Sequence, residues 1–193
     1  MNIETEYQKV INKESNGFFV SIGKHGKLEL ESISSFLDVT FEIQIFSGSF
    51  NPIHNGHRAI FNSIMDIPKI FEMSLNRRNK ETISLNDLIN RLSFFQENDI
   101  ILIDNLIYFK DKSELINNYR VQPIFHIGFD TAERFINDDG IQGIENINGI
   151  FFVYERDGKG IGNLGNVPRN FIVGTLIDKS FSHMSSTEIR QKN

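Results

Sequence analysis

The feature that most constrains this chain is an alternation. From Phe41 to Gly174, short runs of strong β-formers take turns with segments whose apolar residues recur at helical spacing. Strands are expected over Phe41–Phe46, Lys69–Leu75, Asp99–Asp104, Gln122–Ile127, Ile150–Tyr154 and Phe171–Gly174. Helices are expected over Gly56–Ile67, Ser84–Glu97, Lys112–Asn118 and Thr131–Ile136, with Ser84 as an N-cap and a glycine-rich loop over Asp157–Pro168. Strands that alternate with helices assemble as βαβ units, because a parallel neighbour can be reached only by a crossover. The predicted fold is therefore α/β, a Rossmann-like, mainly parallel sheet with helices on both faces. Ligands of such sheets bind outside the carboxyl ends of the strands, so the stretches that follow strands matter most: Gly48–His57, Asn76–Lys80, Gly128–Asp130 and Arg156.

The start of the chain reads differently. Ile3, Tyr7, Val10 and Ile11 share one helical face, Phe18–Ile22 reads as a strand, and Gly23-Lys-His-Gly26 is a turn into a second strand. Residues 1–40 are predicted as a small helix-and-hairpin extension, with residues 41–193 as the main domain.

Composition narrows the chemistry. The chain has 193 residues, enough for a sizeable core, and no cysteine, which excludes disulfides, thiolate metal sites and cysteine nucleophiles. Its net charge of −5 argues against wholesale binding to a nucleic-acid backbone. The N-terminus, Met-Asn-Ile-Glu-Thr-Glu, lacks the basic start and apolar run of a signal peptide, and no run approaches a membrane span. A cytoplasmic protein without membrane or nucleic-acid partners is expected.

Gly48-Ser-Phe-Asn-Pro-Ile-His-Asn-Gly-His57 sits between a strand and a helix. Pro52 fixes a turn, Gly48 and Gly56 let backbone approach a ligand, and a strand–turn–helix junction presents N–H groups to a phosphate. Ser49, Phe50 and Asn51 complete the loop. His54 and His57 stand at the helix mouth, where imidazoles donate to phosphate oxygens and, with a reference pKa of about 6.5, carry charge near neutrality. The same residues would also serve as a polar loop with two capping histidines, or as half of a metal site. The metal reading lacks a nearby carboxylate or third histidine, whereas the phosphate reading accounts for the glycines, proline and histidines together.

Ser185-Ser-Thr-Glu-Ile-Arg190 is the second element. Ser185 and Glu188 form a capping-box pattern, the Ser186 and Thr187 hydroxyls face an anion at a helix start, and Arg190 adds a planar cation suited to phosphate oxygens. On its own it reads equally as an ordinary capped helix.

Together these stretches resemble the signatures of the nucleotidyltransferase superfamily that carries a His-x-Gly-His element, here His54-Asn-Gly-His57, and a Ser-Ser-Thr-x-hydrophobic-Arg element. Nicotinamide and nicotinate mononucleotide adenylyltransferases belong to it. Gly128-Phe-Asp130 resembles the family's Gly-x-Asp at a strand end, where the aspartate meets ribose, and Arg156-Asp-Gly158 its Arg-x-Gly. Phe71-Glu-Met-Ser followed by Asn76 and Lys80 resembles a subgroup in which that turn faces the acceptor; here the turn is one residue longer. The resemblance implies adenylyl transfer from ATP with Mg²⁺ to a phosphorylated acceptor such as nicotinamide or nicotinate mononucleotide, a step of NAD biosynthesis. His54, His57 and Arg190 would be catalytic. Gly48, Ser49, Phe50, Asn51, Gly56, Gly128, Asp130, Arg156, Ser185, Ser186 and Thr187 would bind nucleotide, and no protein-held metal is implied. The alternatives are transfer to phosphopantetheine, against which His54 argues because a threonine is usual there, a CTP-dependent reaction, or a nucleotide sensor without turnover. The chain runs three residues past Arg190, and support of that short end by a second copy, in a homo-oligomer, is a further expectation.

Overall fold

The structure, a computed structural model, describes residues 1–38, 40–65, 68–76 and 80–175. Among these residues eight strands form one sheet: β1 (Gly17–Ile22), β2 (Leu28–Ser32), β3 (Glu42–Ser47), β4 (Lys69–Ser74), β5 (Ile100–Asp104), β6 (Gln122–Gly128), β7 (Ile150–Tyr154) and β8 (Phe171–Gly174). Their order is β2-β1-β5-β4-β3-β6-β7-β8. Strands β3 to β8 run parallel, and β1 is antiparallel to both β2 and β5. The N-terminal hairpin thus extends the same sheet, with Phe18 opposite Ile103 and Val20 opposite Ile101.

Six α-helices accompany the sheet among the described residues: α1 (Ile3–Ile11), α2 (Ile33–Leu37), α3 (Asn55–Ser63), α4 (Leu85–Leu92), α5 (Phe109–Asn117) and α6 (Phe129–Glu145). Residues alternate across each strand, so the sheet has two apolar faces and each needs a cover. Ile43, Ile45, Phe125, Ile127, Phe151 and Val153 meet α2, α5 and α6 through Leu37, Ile116, Phe129, Ala132 and Phe135. Phe46, Phe71, Met73, Ile101 and Ile103 meet α1, α3 and α4 through Val10, Phe61, Leu88 and Leu92. Helices on both faces follow from this division.

Several boundaries differ from the sequence reading. Helix α6 runs from Phe129 to Glu145, well beyond the expected Thr131–Ile136; a break at Gly140, whose φ of 68° a glycine tolerates, lets the helical path resume. Helix α3 stops at Ser63, because Ile64 turns extended to bury its side chain. Helix α4 ends at Leu92, short of the expected Glu97, and Phe95 is buried from the following turn. Helix α5 begins at Phe109, three residues before the expected Lys112. The short α2, capped by Ser32, was not anticipated.

Candidate functional site at the carboxyl ends of the strands

The strand order reverses between β3 and β6, which diverge to opposite sides of the sheet. A crevice opens at such a switch point, and the loop after β3 enters it. Gly48 is required there: a Cβ would lie 2.7 Å from the Phe50 ring, which folds back over it. Phe50 is fully buried with φ of 40°, an uncommon conformation for a side-chain-bearing residue, and its ring makes edge contacts with Phe46, Phe71, Phe95 and His57. This aromatic cage holds the turn that the cis Asn51–Pro52 bond completes.

Helix α3 then begins with His54 as its N-cap residue. The His54 and His57 rings stack at 3.7 Å between centroids. The His54 N–H donates to His57 Nδ1 at 3.2 Å, so a neutral His57 carries its proton on Nε2 and has that N–H to offer. Burial, then Arg156, lowers His54 to about 4. Burial, then the charges of His54, Arg156 and Arg58, lowers His57 to about 3. Both imidazoles are therefore neutral at pH 7 in the unliganded protein. This corrects the expectation of charge near neutrality, which held only for a solvated ring.

Beside this loop lies a polar cavity of about 370 Å³. Gly48 and Ser49 form one wall, Asn76 and Lys80 another, and Asp130 and Arg156 a third. Arg156 and Asp130 are paired at 2.6 Å, joining the segments after β6 and β7. Asn76 ties its turn to the end of β5: its Nδ2 donates to the Asn105 carbonyl at 3.4 Å, and its Oδ1 accepts from Thr82 at 2.9 Å.

The profile of the cytidylyltransferase-like family matches residues 45–192, most of the chain. The chain belongs to that family. Among solved structures it is similar to Plasmodium falciparum nicotinic acid mononucleotide adenylyltransferase complexed with APC, at 18% identity and a TM-score of 0.54, over 79% of this chain and 83% of that one. At that identity the likeness speaks for the Rossmann-like fold. No curated protein matches the sequence.

In this cytidylyltransferase-like chain, the structure brings together some of the residues singled out from sequence. Gly48, Ser49, Asn76, Lys80, Asp130 and Arg156 line one cavity. His54 and His57 stand close enough to Arg156 to feel its charge. Phe50 and Gly56 are buried in the loop's support, and Gly128 is the N-cap of α6 with no neighbour near its missing Cβ. Ser185, Ser186, Thr187 and Arg190 lie outside the described residues, as do Arg77 and Arg78 of the turn before Lys80.

The structure also exposes functional candidates that sequence reading missed. Glu72 and Lys112 line the cavity and pair at 2.7 Å, both almost wholly buried. Register places Glu72 opposite Leu102 and Ser74 opposite Asp104, so Glu72 and Asp104 share the sheet face that α5 covers. Burial, then the Glu72 charge, pushes Asp104 up to about 8, against the opposing pull of Lys112. Burial works against the Lys112 ammonium, yet Glu72 and Asp104 together raise it. The cluster thus sets one ammonium beside two buried carboxyls, and burial favours the protonated form of Asp104. A second buried network joins three strands: His126 Nδ1 meets the Tyr154 hydroxyl at 2.8 Å, and His126 Nε2 meets Gln44. Glu72, the one acid inside the apolar run Ile70–Met73, was the available signal in the sequence.

Proposed function

We propose that this protein is an adenylyltransferase that moves AMP from ATP to a phosphorylated small-molecule acceptor, nicotinamide or nicotinate mononucleotide in the first instance, and releases pyrophosphate. The observation that carries the reading is the junction itself. A glycine-gated loop and Arg156 line a polar cavity at the switch point of a parallel sheet, and two stacked, neutral histidines follow that loop within the field of Arg156. Family membership supports nucleotidyl transfer; Gly128-Phe-Asp130 and Arg156-Asp-Gly158 support the adenylyl branch.

The reaction is an in-line displacement at the α-phosphorus. An acceptor phosphate oxygen forms the new P–O bond, the bond to the bridging oxygen of pyrophosphate breaks, and no side-chain nucleophile is needed because the acceptor is already an anion. Catalysis is then positioning and charge stabilisation. The Nε2–H of His57 and the His54 ring stabilise charge as it builds on the α-phosphoryl oxygens. Asp130 meets the ribose, which requires it to leave Arg156, and the freed guanidinium turns to phosphate. Ser185–Thr187 and Arg190 hold the leaving pyrophosphate. Mg²⁺ would enter with the nucleotide's phosphates and its own waters.

The test is pyrophosphate release from ATP and from CTP, each with nicotinamide mononucleotide, nicotinate mononucleotide and phosphopantetheine, with products resolved by chromatography. The expected result is a dinucleotide from ATP and a mononucleotide. Faster turnover with CTP overturns the adenylyl assignment. A phosphopantetheine product replaces the acceptor, and ATP binding without turnover for any acceptor leaves a nucleotide sensor.

A further inference from the structure

Three adjacent strands end on a polar floor. Ser47 of β3 is opposite Glu72 of β4, and Asp104 of β5 lies on the same face, so a polar side chain follows the apolar Ile45, Ile70 and Leu102 on each strand. Lys112 comes down onto this row from α5 and donates to Glu72 Oε1 at 2.7 Å. Ser47, Glu72 and Lys112 all line the cavity. Tyr108 and Phe109, at the start of α5, line it too, and the Lys112 ammonium is 5.5 Å from the Phe109 ring centroid.

The hydrogen bonding of this floor is incomplete. An ammonium has three donors, and among the described residues Glu72 alone accepts from Lys112. Ser47 Oγ is buried without a partner among them, and Glu72, beyond Lys112, has only the Asp104 carboxyl against it. Buried donors and acceptors left over beside a cavity are satisfied by what enters it. Charge decides what that is. The ammonium is matched by Glu72 at contact, and Asp104 adds a second carboxyl, so the floor has no net positive charge to offer. A carboxylate docked on Lys112 would face the Glu72 carboxylate, and like charges set against each other are costly where water is excluded. An uncharged carboxamide meets no such conflict, since its oxygen accepts from Lys112 while its N–H groups donate to Glu72 or Ser47. The Tyr108 and Phe109 rings suit a flat aromatic ring that carries the amide. We propose that Glu72 and Lys112 are specificity-determining residues: together they bind the carboxamide of an aromatic acceptor and exclude its carboxylate counterpart. The proposal rests on the reading of this cavity as the site of transfer to a mononucleotide, and it chooses nicotinamide over nicotinate.

The experiment uses the full chain, with and without Mg²⁺ and a non-hydrolysable ATP analogue. It measures binding of nicotinamide mononucleotide, nicotinate mononucleotide and the two free bases. Wild type should bind the amides at least about tenfold more tightly than the acids, because a site built to pair a substrate N–H rejects the analogue that lacks it. Nicotinamide mononucleotide should also shift the Lys112 Nζ resonance. Glu72→Gln removes the charge and offers an N–H donor, so the amide-to-acid ratio should fall about tenfold or more. Lys112→Gln leaves the carboxyls unopposed, so the ratio should rise. A packing defect weakens amide and acid alike and does not drive the two variants in opposite directions. Glu114→Gln makes the same charge change at an exposed position of α5 and should leave the ratio within about twofold. Should a floor variant fail to fold, the wild-type ratio and the Lys112 shift still decide. Equal or acid-favouring binding in wild type, binding of neither, or an unmoved ratio in folded Glu72→Gln overturns the proposal. Amide-selective binding without transfer from ATP leaves it standing and refutes the adenylyltransferase. Transfer to amide and acid with equal efficiency does the reverse.

Discussion

Replacing His57 by alanine and by glutamine separates three roles that the histidine has in principle: cap, neutral donor and cation. The structure sets the magnitudes. Alanine removes the Nδ1 acceptor of the His54 N–H, worth about 1 kcal/mol, and the ring edge against Phe50, worth about 0.5–1.5 kcal/mol. The sum is about 2 kcal/mol, which for a chain of this size lowers the melting temperature by roughly 4–8 °C. Alanine also deletes the Nε2–H. A donor whose interaction strengthens in the transition state costs on the order of 10²–10³ in turnover when lost, with ATP affinity changed only several-fold. Glutamine at this position restores a capping box, its carbonyl oxygen reaching back to the His54 N–H, and its amide nitrogen is a neutral donor. Because His57 is held neutral, at about 3, His57→Gln should melt within a few degrees of wild type and keep turnover within about tenfold. The assay is pyrophosphate release with ATP and the mononucleotide, with thermal melts on the same preparations. Glutamine as inactive as alanine, with folding and ATP affinity intact, would refute the neutral-donor argument and show that nucleotide binding draws a proton onto the ring. An alanine variant that melts early but turns over normally would leave His57 as a cap alone.

Other expectations follow from the same structure. Asp104 has its carboxyl raised to about 8 from a usual value near 3.8, so the folded state holds a proton that the unfolded chain has released, and this group's contribution to stability falls as pH rises from about 4 to 8, by at most about 1.4 kcal/mol per pH unit. Asp104→Asn should flatten that slope in urea melts between pH 5 and 8; parallel slopes for variant and wild type would refute the shared proton. His126 is lowered to about 4 by burial, so the unfolded chain protonates first and stability is lost as pH falls below about 6.5, reaching about 2 kcal/mol at pH 5 from this group; His126→Gln should remove that share while the lowered His54 and His57 keep theirs, and an acid slope identical to wild type would assign the effect elsewhere. Arg190→Ala should weaken ATP more than AMP in calorimetry, and equal weakening of both would remove Arg190 from the distal phosphates.

The sheet was legible because buried parallel strands are written as continuous apolar runs. Ile101–Ile103 carries that signal without help from distant residues, and Ile43–Phe46 and Ile124–Ile127 carry it with one polar residue each, Gln44 and His126. The loop was legible for a related reason: a close approach needs glycine at 48, a turn needs Pro52, and the two histidines follow at fixed spacing. Helix α6 was harder, since Asn137-Asp-Asp-Gly140 reads as a stop, and only the packing of Ile144 on the far side shows the helix resuming. The charge of the histidines was misjudged because a reference pKa belongs to a solvated ring, and burial is not written in the motif.

The Glu72–Lys112 pair shows where sequence reading ends and why the missing part bears on function. The two residues are 40 positions apart, and Lys112 lies in Lys110-Asp-Lys-Ser-Glu114, which reads as a solvated helical face. Only the β4–β5 register and the seating of α5 on that side of the sheet turn it inward. A buried ammonium next to two carboxyls contributes little net stability, because desolvation offsets most of the attraction. An apolar trio would serve the core as well. The cluster opens onto the cavity on the β4–β5 side, away from Asp130 and Arg156 and beside the turn that ends at Lys80. On the proposed function, a nucleotide on the segments after β6 and β7 would leave that half of the crevice for the acceptor, beside residues that the core does not need.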